Sequence, residues 1–364
     1  MMTGVTRRLA GIGLVAALAA FTAPIPSARA DEPLKIAFVY VGPIGDHGWS
    51  YQHEVGRKAV EKEFGDKVKT TYVENVSEGP DAERVIAQLA QAGNKLIFTT
   101  SFGFMNPTVK VASRFPGVKF EHATGFKTAK NLSIYNARFY EGRYIIGQIA
   151  AKMSKTGTIG YIASFPIPEV VMGINAAYLG AKSVNPNIKI KTIWVSSWFD
   201  PGKEADAAKA LTDQGADVLM QHTDSPAAMK LAEERGIYAF GQASDMATFG
   251  PKAQLTSIVD DWNYYYVDRV KAVMDGSWAT KDTWDGLKQK MVELAPYGAA
   301  VPEDVRKLAD ETKAKIISGE FHPFTGPLAK QDGTPWLKDG EKAPDKDLLS
   351  MNFFVQGVEG SLPK

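Results

Sequence analysis

The middle of this chain repeats its own pattern of strands and helices. One block starts at Lys35 and reads KIAFVYVGPIGDHGWSYQHEVGRKAVEKEFGDKVKTTYVENV. A second block with the same outline starts at Thr158 and reads TIGYIASFPIPEVVMGINAAYLGAKSVNPNIKIKTIWVSS. Each continues with a helical stretch, an apolar strand, another helix and another strand. Two similar halves predict two lobes with a cleft between them, and such clefts hold small ligands.

The strands of both halves are short apolar runs, which is typical of sheets covered on both faces. Their alternation with helices predicts an α/β fold in which each lobe has a doubly wound parallel sheet. The predicted strands are 35–41, 68–75, 95–100, 118–123 and 132–136, then 158–163, 188–195, 217–221, 237–241 and 254–259. The predicted helices are 50–64, 81–92, 106–114, 140–153, 169–184, 203–214 and 225–235.

The C-terminal part departs from this alternation. Helices predicted at 262–275 and 302–318 flank an irregular, aromatic-rich stretch. A hairpin follows, with the turn dipeptides Gly326-Pro327 and Asp332-Gly333, and residues 349–357 predict a last apolar strand.

These elements give a domain prediction. Lobe 1 covers 31–137, with about 260–320 returning to it, and lobe 2 covers 138–259, with about 321–364 returning to it. Several crossings between two lobes suit a hinge.

Residues 1–30 have the features of a secretory signal peptide. Arg7 and Arg8 precede the apolar run 9–23, and Ala28-Arg29-Ala30 forms a small-x-small cleavage site. The run is short for a membrane span, and Pro24 and Pro26 follow it, which disfavours the alternative of a membrane anchor. We therefore expect a soluble mature protein in the periplasm.

The composition also excludes some kinds of anchor and partner. The chain has no Cys, so we expect neither disulfides nor a lipoprotein anchor. Cleavage of the predicted signal peptide would remove Arg7, Arg8 and Arg29 and change the formal net charge from +1 to −2. A net charge this close to zero gives no case for a nucleic-acid partner.

In doubly wound sheets, ligands bind beyond the carboxyl ends of the strands. Aromatic and acidic residues recur in the loops that follow the predicted strands: Asp46, Trp49, Phe102, Phe104, Phe165, Trp198, Phe199, Asp224 and Asp245. Aromatic rings can stack on a flat ligand, and carboxylates can accept hydrogen bonds from its N–H or O–H groups. This combination predicts a planar, nitrogen-rich, uncharged ligand.

Each candidate also has a structural alternative. Trp49 could pack within a lid, and Trp198 could belong to the core. Phe102 and Phe104 flank Gly103, so we expect only one of the two to face the cleft. Asp224 precedes Ser225-Pro226 and could cap a helix instead.

Eight stretches, in order, resemble the basic membrane protein family of transporter substrate-binding proteins, which includes purine nucleoside receptors. The resemblance covers nearly all of 34–358. The stretches are GDHGWSYQHEVGRKAV, TTSFGFMNPTVKVASRFPGVKF, FYEGRYIIGQIAAKMSKTGTIGYI, AKSVNPNIKI, FDPGKEADAAKALTDQGADVL, GIYAFGQASDM, FTGPLAKQDG and FFVQGV. The resemblance implies a type I periplasmic-binding-protein fold that closes around a ligand and delivers it to the permease and ATPase subunits of an ABC importer.

The resemblance also implies site residues. Trp49 stands where the family has an aromatic that stacks on the purine, and Asp46 matches the acidic residue just before it. The chain departs from the family at Gln242-Ala243-Ser244-Asp245, where Val-Asp-Ser-Asp is usual. It departs again at Asp260, where Lys is usual, and at Thr124, where an acidic residue is usual. Since such acidic and Lys residues grip the ribose in nucleoside-binding members, we expect a free purine base, with adenine favoured.

The alternatives are a purine nucleoside, a sugar or another heterocycle. We expect no catalytic residues, no metal and no cofactor, because the five His residues are scattered and the chain has no HExxH, Gly-x-Ser-x-Gly or phosphate-loop motif. A periplasmic purine-processing enzyme is thus the disfavoured rival class. We also expect a monomer that binds one ligand.

Overall fold

Two six-stranded sheets with equivalent strand orders form the two lobes. The computed structural model describes residues 1–4, 6, 32–45 and 47–363, so most of the predicted signal peptide lies outside the described residues. The strands are β1 (Leu34–Val39), β2 (Val68–Val73), β3 (Leu96–Thr99), β4 (Lys119–Ala123), β5 (Leu132–Ala137), β6 (Thr158–Ala163), β7 (Lys189–Trp194), β8 (Val218–His222), β9 (Tyr238–Gly241), β10 (Gln254–Asp260), β11 (Asp282–Asp285), β12 (Val292–Leu294), β13 (Leu328–Ala329) and β14 (Pro335–Leu337).

The helices connect these strands and cover the sheets. They are α1 (Gly48–Phe64), α2 (Pro80–Gln91), α3 (Met105–Arg114), α4 (Phe139–Met153), α5 (Pro168–Val184), α6 (Pro201–Asp213), α7 (Ala227–Arg235), α8 (Asn263–Met274), α9 (Glu303–Ser318) and α10 (Asp345–Leu349).

The sequence repeat is a repeat of topology. The first sheet has the order β11-β5-β4-β3-β1-β2 and the second has the order β12-β10-β9-β8-β6-β7. Their strands pair in parallel, except that β12 runs antiparallel to β10. Every strand and helix predicted within the two halves is present, which confirms the doubly wound α/β class.

Burial on both faces explains why the strands are continuous apolar runs. In β1, Ile36 and Phe38 belong to one core together with α1 and α8, whereas Ala37 and Val39 belong to a second core with α2 and α3. Successive side chains of a strand point to opposite faces, so a strand between two helical layers needs apolar residues at every position.

Helices α4 and α5 pack at unusually close range in the second lobe. A Cβ at Gly180 would lie 1.9 Å from the carbonyl oxygen of Tyr144, and a Cβ at Gly147 would lie 2.1 Å from that of Ala177. Real Cβ atoms do not come that close to a backbone oxygen, so the two glycines allow this separation between the helices.

The C-terminal prediction needs two corrections. Residues 260–320 do not all return to the first lobe: α8 packs on α1 and β11 pairs with β5, but β12 pairs with β10 and α9 packs on α4. The stretch predicted to be irregular thus supplies one edge strand to each sheet.

The predicted last strand, 349–357, is also wrong. Within it, Val355 forms only an isolated bridge to Lys330. The side chain of Asn175 takes the place of a neighbouring strand, since its Nδ2 donates to the carbonyl oxygen of Phe353 (2.9 Å) and its Oδ1 accepts from the Val355 N–H (3.0 Å). The apolar pattern reflects burial against α5 rather than a sheet.

The chain crosses between the lobes from β5 to α4, from β10 to α8 and from β11 to β12. The crossing segments are hydrogen-bonded to each other: Arg138 N–H donates to the Asp285 oxygen (2.8 Å) and Asp261 N–H donates to the Met291 oxygen (3.0 Å). The third crossing therefore lies between the other two.

The α4–α5 contact yields a test of stability. We predict that Gly180→Ala lowers the free energy of unfolding by about 1–3 kcal/mol, because the added methyl group forces the helices apart. In the exposed first turn of α6, Gly202→Ala adds a Cβ at an ordinary 3.5 Å from Asp200 Oδ1 and serves as the control. Urea denaturation of both variants measures the effect, and equal stabilities would contradict the packing argument.

Candidate functional site

The carboxyl ends of the two sheets enclose a cavity of about 330 Å³. Strand-to-helix loops of both lobes form its walls, as the doubly wound topology requires. The lining residues are Val41, Trp49, Ser101, Phe102, Thr124, Glu169, Trp198, His222, Asp224 and Gln242.

Trp49 is held rigidly in the wall that the first lobe provides. Its side chain is 9% exposed, and its Nε1 donates to the carbonyl oxygen of Thr100 (2.6 Å). The preceding Gly48 has φ +77°, and a Cβ there would lie 2.4 Å from the backbone oxygen of Asp224. Only glycine therefore lets the start of α1 approach the second lobe this closely.

Hydrogen bonds between the two lobes border the cavity. Trp198, from the second lobe, donates through Nε1 to Glu78 Oε1 of the first lobe (3.2 Å). The same carboxylate oxygen accepts from Ser101 Oγ (2.5 Å), which fixes it in place. On the opposite side, the Gly48 N–H donates to Ser244 Oγ (2.7 Å). The described conformation is thus closed around the cavity.

Two carboxyl groups line the cavity. Burial, and then the neighbouring Glu204, raise the pKa of Asp224 well above its usual value. Glu169 is 7% exposed; its Oε1 lies 3.2 Å from His222 Nε2, and its buried Oε2 has no hydrogen-bond partner among the described residues. The lining set named above contains no Lys or Arg.

A third carboxyl, Asp260, lies at the end of β10 and is fully buried. Neither of its oxygens has a hydrogen-bond partner in the part of the chain that the structure describes. Burial, and next the charge of Glu169, raise its pKa well above the usual value, while the nearby Arg143 acts in the opposite direction. Asp260 is therefore a third buried carboxyl group that interacts with the cavity residue Glu169 without being part of the cavity wall.

The structure brings Trp49, Phe102, Thr124, Trp198 and Asp224 together around the cavity. Phe104 is fully buried in the core, so Phe102 is the member of that pair beside the cavity. Asp46 lies outside the described residues.

Asp245 does not join the set. It is exposed, and its Oδ1 accepts from the Ala247 N–H (3.0 Å) and from Gln254 Nε2 (2.7 Å), so it stabilises its own loop. The Ala247 N–H that Asp245 accepts from belongs to the first residue of a short 3-10 turn at Ala247–Phe249.

Glu169, His222, Gln242 and Ser101 line the cavity but were not among the predicted site residues. Ser101, His222 and Gln242 lie at or just after strand ends, where ligand contacts were expected, but the prediction selected the aromatic and acidic residues there. Glu169 lies in the first turn of α5, beyond the loop that follows β6. The contact between Glu169 and His222 cannot be read from the sequence pattern, because the two residues are 53 positions apart in the chain.

The described residues contain no group of three or more His, Cys, Asp or Glu side chains placed to hold a metal ion. None of their helices combines the length and apolar character needed to cross a bilayer.

Two parallel-sheet lobes closing on a cavity define a class of two-lobed solute-binding proteins. A solved solute-binding protein of an ABC transporter system from Aeropyrum pernix K1 has the same fold, with a TM-score of 0.69 at 19% identity, covering 88% of this chain and 98% of that one. The family model for PnrA-like ABC transporter substrate-binding proteins (Bmp) matches residues 34–322. The chain belongs to this family, which is one of binding proteins rather than enzymes.

Two relatives with assigned names are similar over nearly the whole chain. A purine-binding protein of Brucella abortus is 63% identical over 338 residues, covering 93% of this chain and 96% of the relative. A protein of Haloferax volcanii, named as a candidate ABC transporter glucose-binding protein, is 38% identical over 332 residues, covering 91% of this chain and 82% of the relative.

Glu204, behind Asp224, yields a pH prediction. Its carboxylate accepts from the N–H groups of Asp200 (3.0 Å) and Ser225 (3.1 Å), yet burial raises its pKa from 4.5 to about 7. Between these values the folded chain holds a proton that the unfolded chain has lost, so stability falls as pH rises through this window.

We predict that the free energy of unfolding falls by about 2 kcal/mol more in the natural chain than in Glu204→Gln between about pH 5 and 8. Urea titrations at several pH values measure both profiles. Parallel profiles would show that Glu204 titrates normally.

Proposed function

We propose that this chain is the periplasmic component of an ABC importer for a purine base, with adenine as the favoured ligand. The observation that supports it most is the composition of the cavity wall, where the rings of Trp49, Phe102 and Trp198 accompany the carboxyl groups of Glu169 and Asp224. The relative named as purine-binding, at 63% identity, supports the ligand class.

The wall chemistry fits a flat heterocycle that carries N–H groups. Indole and phenyl faces stack on such a ring, whereas the carboxyl groups accept from its amine or ring N–H. A buried carboxylate without a donor is costly, so a ligand that supplies the donor is selected over one that does not. An anionic ligand would meet no Lys or Arg among the described residues of this wall.

Three departures from the family pattern favour the base over its nucleoside. Ala243 and Thr124 stand where the resemblance has acidic residues, and Asp260 stands where it has Lys. Thr124 lines the cavity, and Ala243 and Asp260 are fully buried. In nucleoside-binding members, such acidic and Lys residues grip the ribose.

Lobe closure is the proposed binding mechanism. Only the closed form contacts the ligand from both sides, so the ligand shifts the open-to-closed equilibrium. The hydrogen bonds Trp198–Glu78 and Gly48–Ser244 form across the cleft and add to the stability of the closed form. Permease and ATPase subunits at the inner membrane would then receive the ligand from a monomeric binding protein.

Export through a cleaved signal peptide at residues 1–30 completes the proposal. The basic start, the apolar run and the Ala28-Arg29-Ala30 site support it. With no Cys in the chain, the mature protein would be free in the periplasm rather than anchored through a lipid.

A sugar is the second candidate ligand, because the Haloferax volcanii relative is named for glucose. Sugar sites combine aromatic faces with carboxylates as well.

We predict that adenine binds the purified mature protein at least about tenfold more tightly than adenosine, because the wall lacks the expected ribose partners. Isothermal titration calorimetry measures both affinities. Mass spectrometry of small molecules released on denaturation gives an independent answer. A tighter nucleoside would overturn the choice of the free base, and a released sugar would overturn the purine assignment.

Trp198→Phe tests closure. The variant keeps a ring at the cavity but loses the Nε1 bond to Glu78, so we predict about tenfold weaker adenine binding. Trp278→Phe is the matched control, because Trp278 Nε1 also donates to a glutamate, Glu121 (2.6 Å), far from the cavity wall. Equal affinities for the two variants would show that the cross-cleft bond does not contribute to binding.

A further inference from the structure

Gln242 presents one defined end of its side-chain amide to the cavity. The residue follows β9, is 4% exposed and lines the cavity wall. The Nη2 group of Arg143 donates a hydrogen bond to Gln242 Oε1. A guanidinium group has only donors, so the atom it contacts must be the amide oxygen. The Nε2 donor of Gln242 is therefore the group left for a ligand.

Arg143 is itself fixed, so the amide cannot easily rotate. It is 1% exposed, and its Nη1 donates to the carbonyl oxygen of Gln221 (2.8 Å). Gln221 is held in turn, because its Nε2 donates to the carbonyl oxygens of Thr223 and Ser225 (both 2.8 Å). Turning the Gln242 amide by 180° would place its Nε2 against Arg143 Nη2. Both of these groups are donors, so both would be left unpaired in a buried site.

The opposite polarity is set at Glu169. His222 Nε2 lies 3.2 Å from Glu169 Oε1, so this nitrogen carries the proton when the carboxylate is ionised. The other oxygen, Oε2, is buried with no partner among the described residues. An ionised carboxylate can only accept, and this oxygen therefore needs a donor from the ligand.

We propose that Arg143 and His222 are positioning residues that fix the hydrogen-bond polarity of the cavity, with Gln242 as a donor and Glu169 as an acceptor. This inference rests on the proposed purine function. It requires a ligand that offers both an acceptor and a donor to fixed partners. A purine base does so, because ring nitrogens accept while an amine or a ring N–H donates.

Fixed polarity discriminates strongly between heterocycles and weakly between sugars. A ring nitrogen that carries no proton only accepts, and replacing the one that faces Gln242 Nε2 by C–H leaves that donor without a partner. A hydroxyl group can rotate and either donate or accept, so a sugar hydroxyl could accept from Gln242 or donate to Glu169.

The test uses adenine and its 1-deaza, 3-deaza and 7-deaza analogues, each of which replaces one ring nitrogen by C–H. With the natural protein, we expect one analogue to bind at least about tenfold more weakly than adenine, because it leaves a buried donor unpaired. Calorimetry of the four ligands identifies the nitrogen that faces Gln242.

Gln242→Glu then removes the donor at nearly constant size, since the new carboxylate pairs with Arg143 and presents only acceptors. We expect adenine to lose at least about tenfold in affinity and the penalty for that analogue to disappear. Gln242→Leu, which presents no polar atom, should remove the same penalty. Gln88→Glu is the matched control, because exposed Gln88 also accepts from an arginine, Arg84 (3.1 Å), on the surface of α2.

The outcomes separate the two proposals. If the natural protein binds no purine, the proposed function fails and this inference falls with it. If adenine binds but all three analogues bind equally well, the function stands and the fixed polarity is wrong. A penalty that persists unchanged in both Gln242 variants also overturns the role of Gln242, because another donor must then read that nitrogen.

Discussion

The close approach of Gly48 to Asp224 sets how near the two lobes can come. A side chain at position 48 would collide with the backbone of the second lobe, so the glycine decides whether the cavity can close. Closure at this point brings the Gly48 N–H to Ser244 and places Trp49 beside Asp224 in the same wall. The cavity volume, the cross-cleft bond at Trp198 and the burial of the carboxyl groups all depend on that one contact.

The sequence was sufficient for elements that depend on local pattern. Apolar runs located the strands, the repeat implied the equivalent sheets, and strand ends located Trp49, Trp198 and Asp224. It was insufficient where the hydrogen-bond partners of a side chain decide its role. Asp245 was misplaced because a short local turn uses its carboxylate, and the 349–357 strand was misplaced because Asn175 replaces a neighbouring strand.

Burial of charge gives the cleft its chemical character. Asp260 lies close to the buried Arg143, whose hydrogen bonds go to the carbonyl oxygen of Gln221 and the amide oxygen of Gln242. Removing carboxyl groups from water is costly unless donors replace the water. A ligand rich in N–H groups lowers that cost, which links the low exposure of the site to the kind of molecule it selects.

The three crossings between the lobes lie side by side and are linked by backbone hydrogen bonds. Because the third segment is hydrogen-bonded to both others, the three resist shearing past one another and twisting about their length. Opening the cleft by bending these segments would change the separation between the outer faces of the lobes, while each lobe keeps its own pattern of charges. A membrane partner that reads that separation distinguishes loaded from empty protein without contacting the ligand.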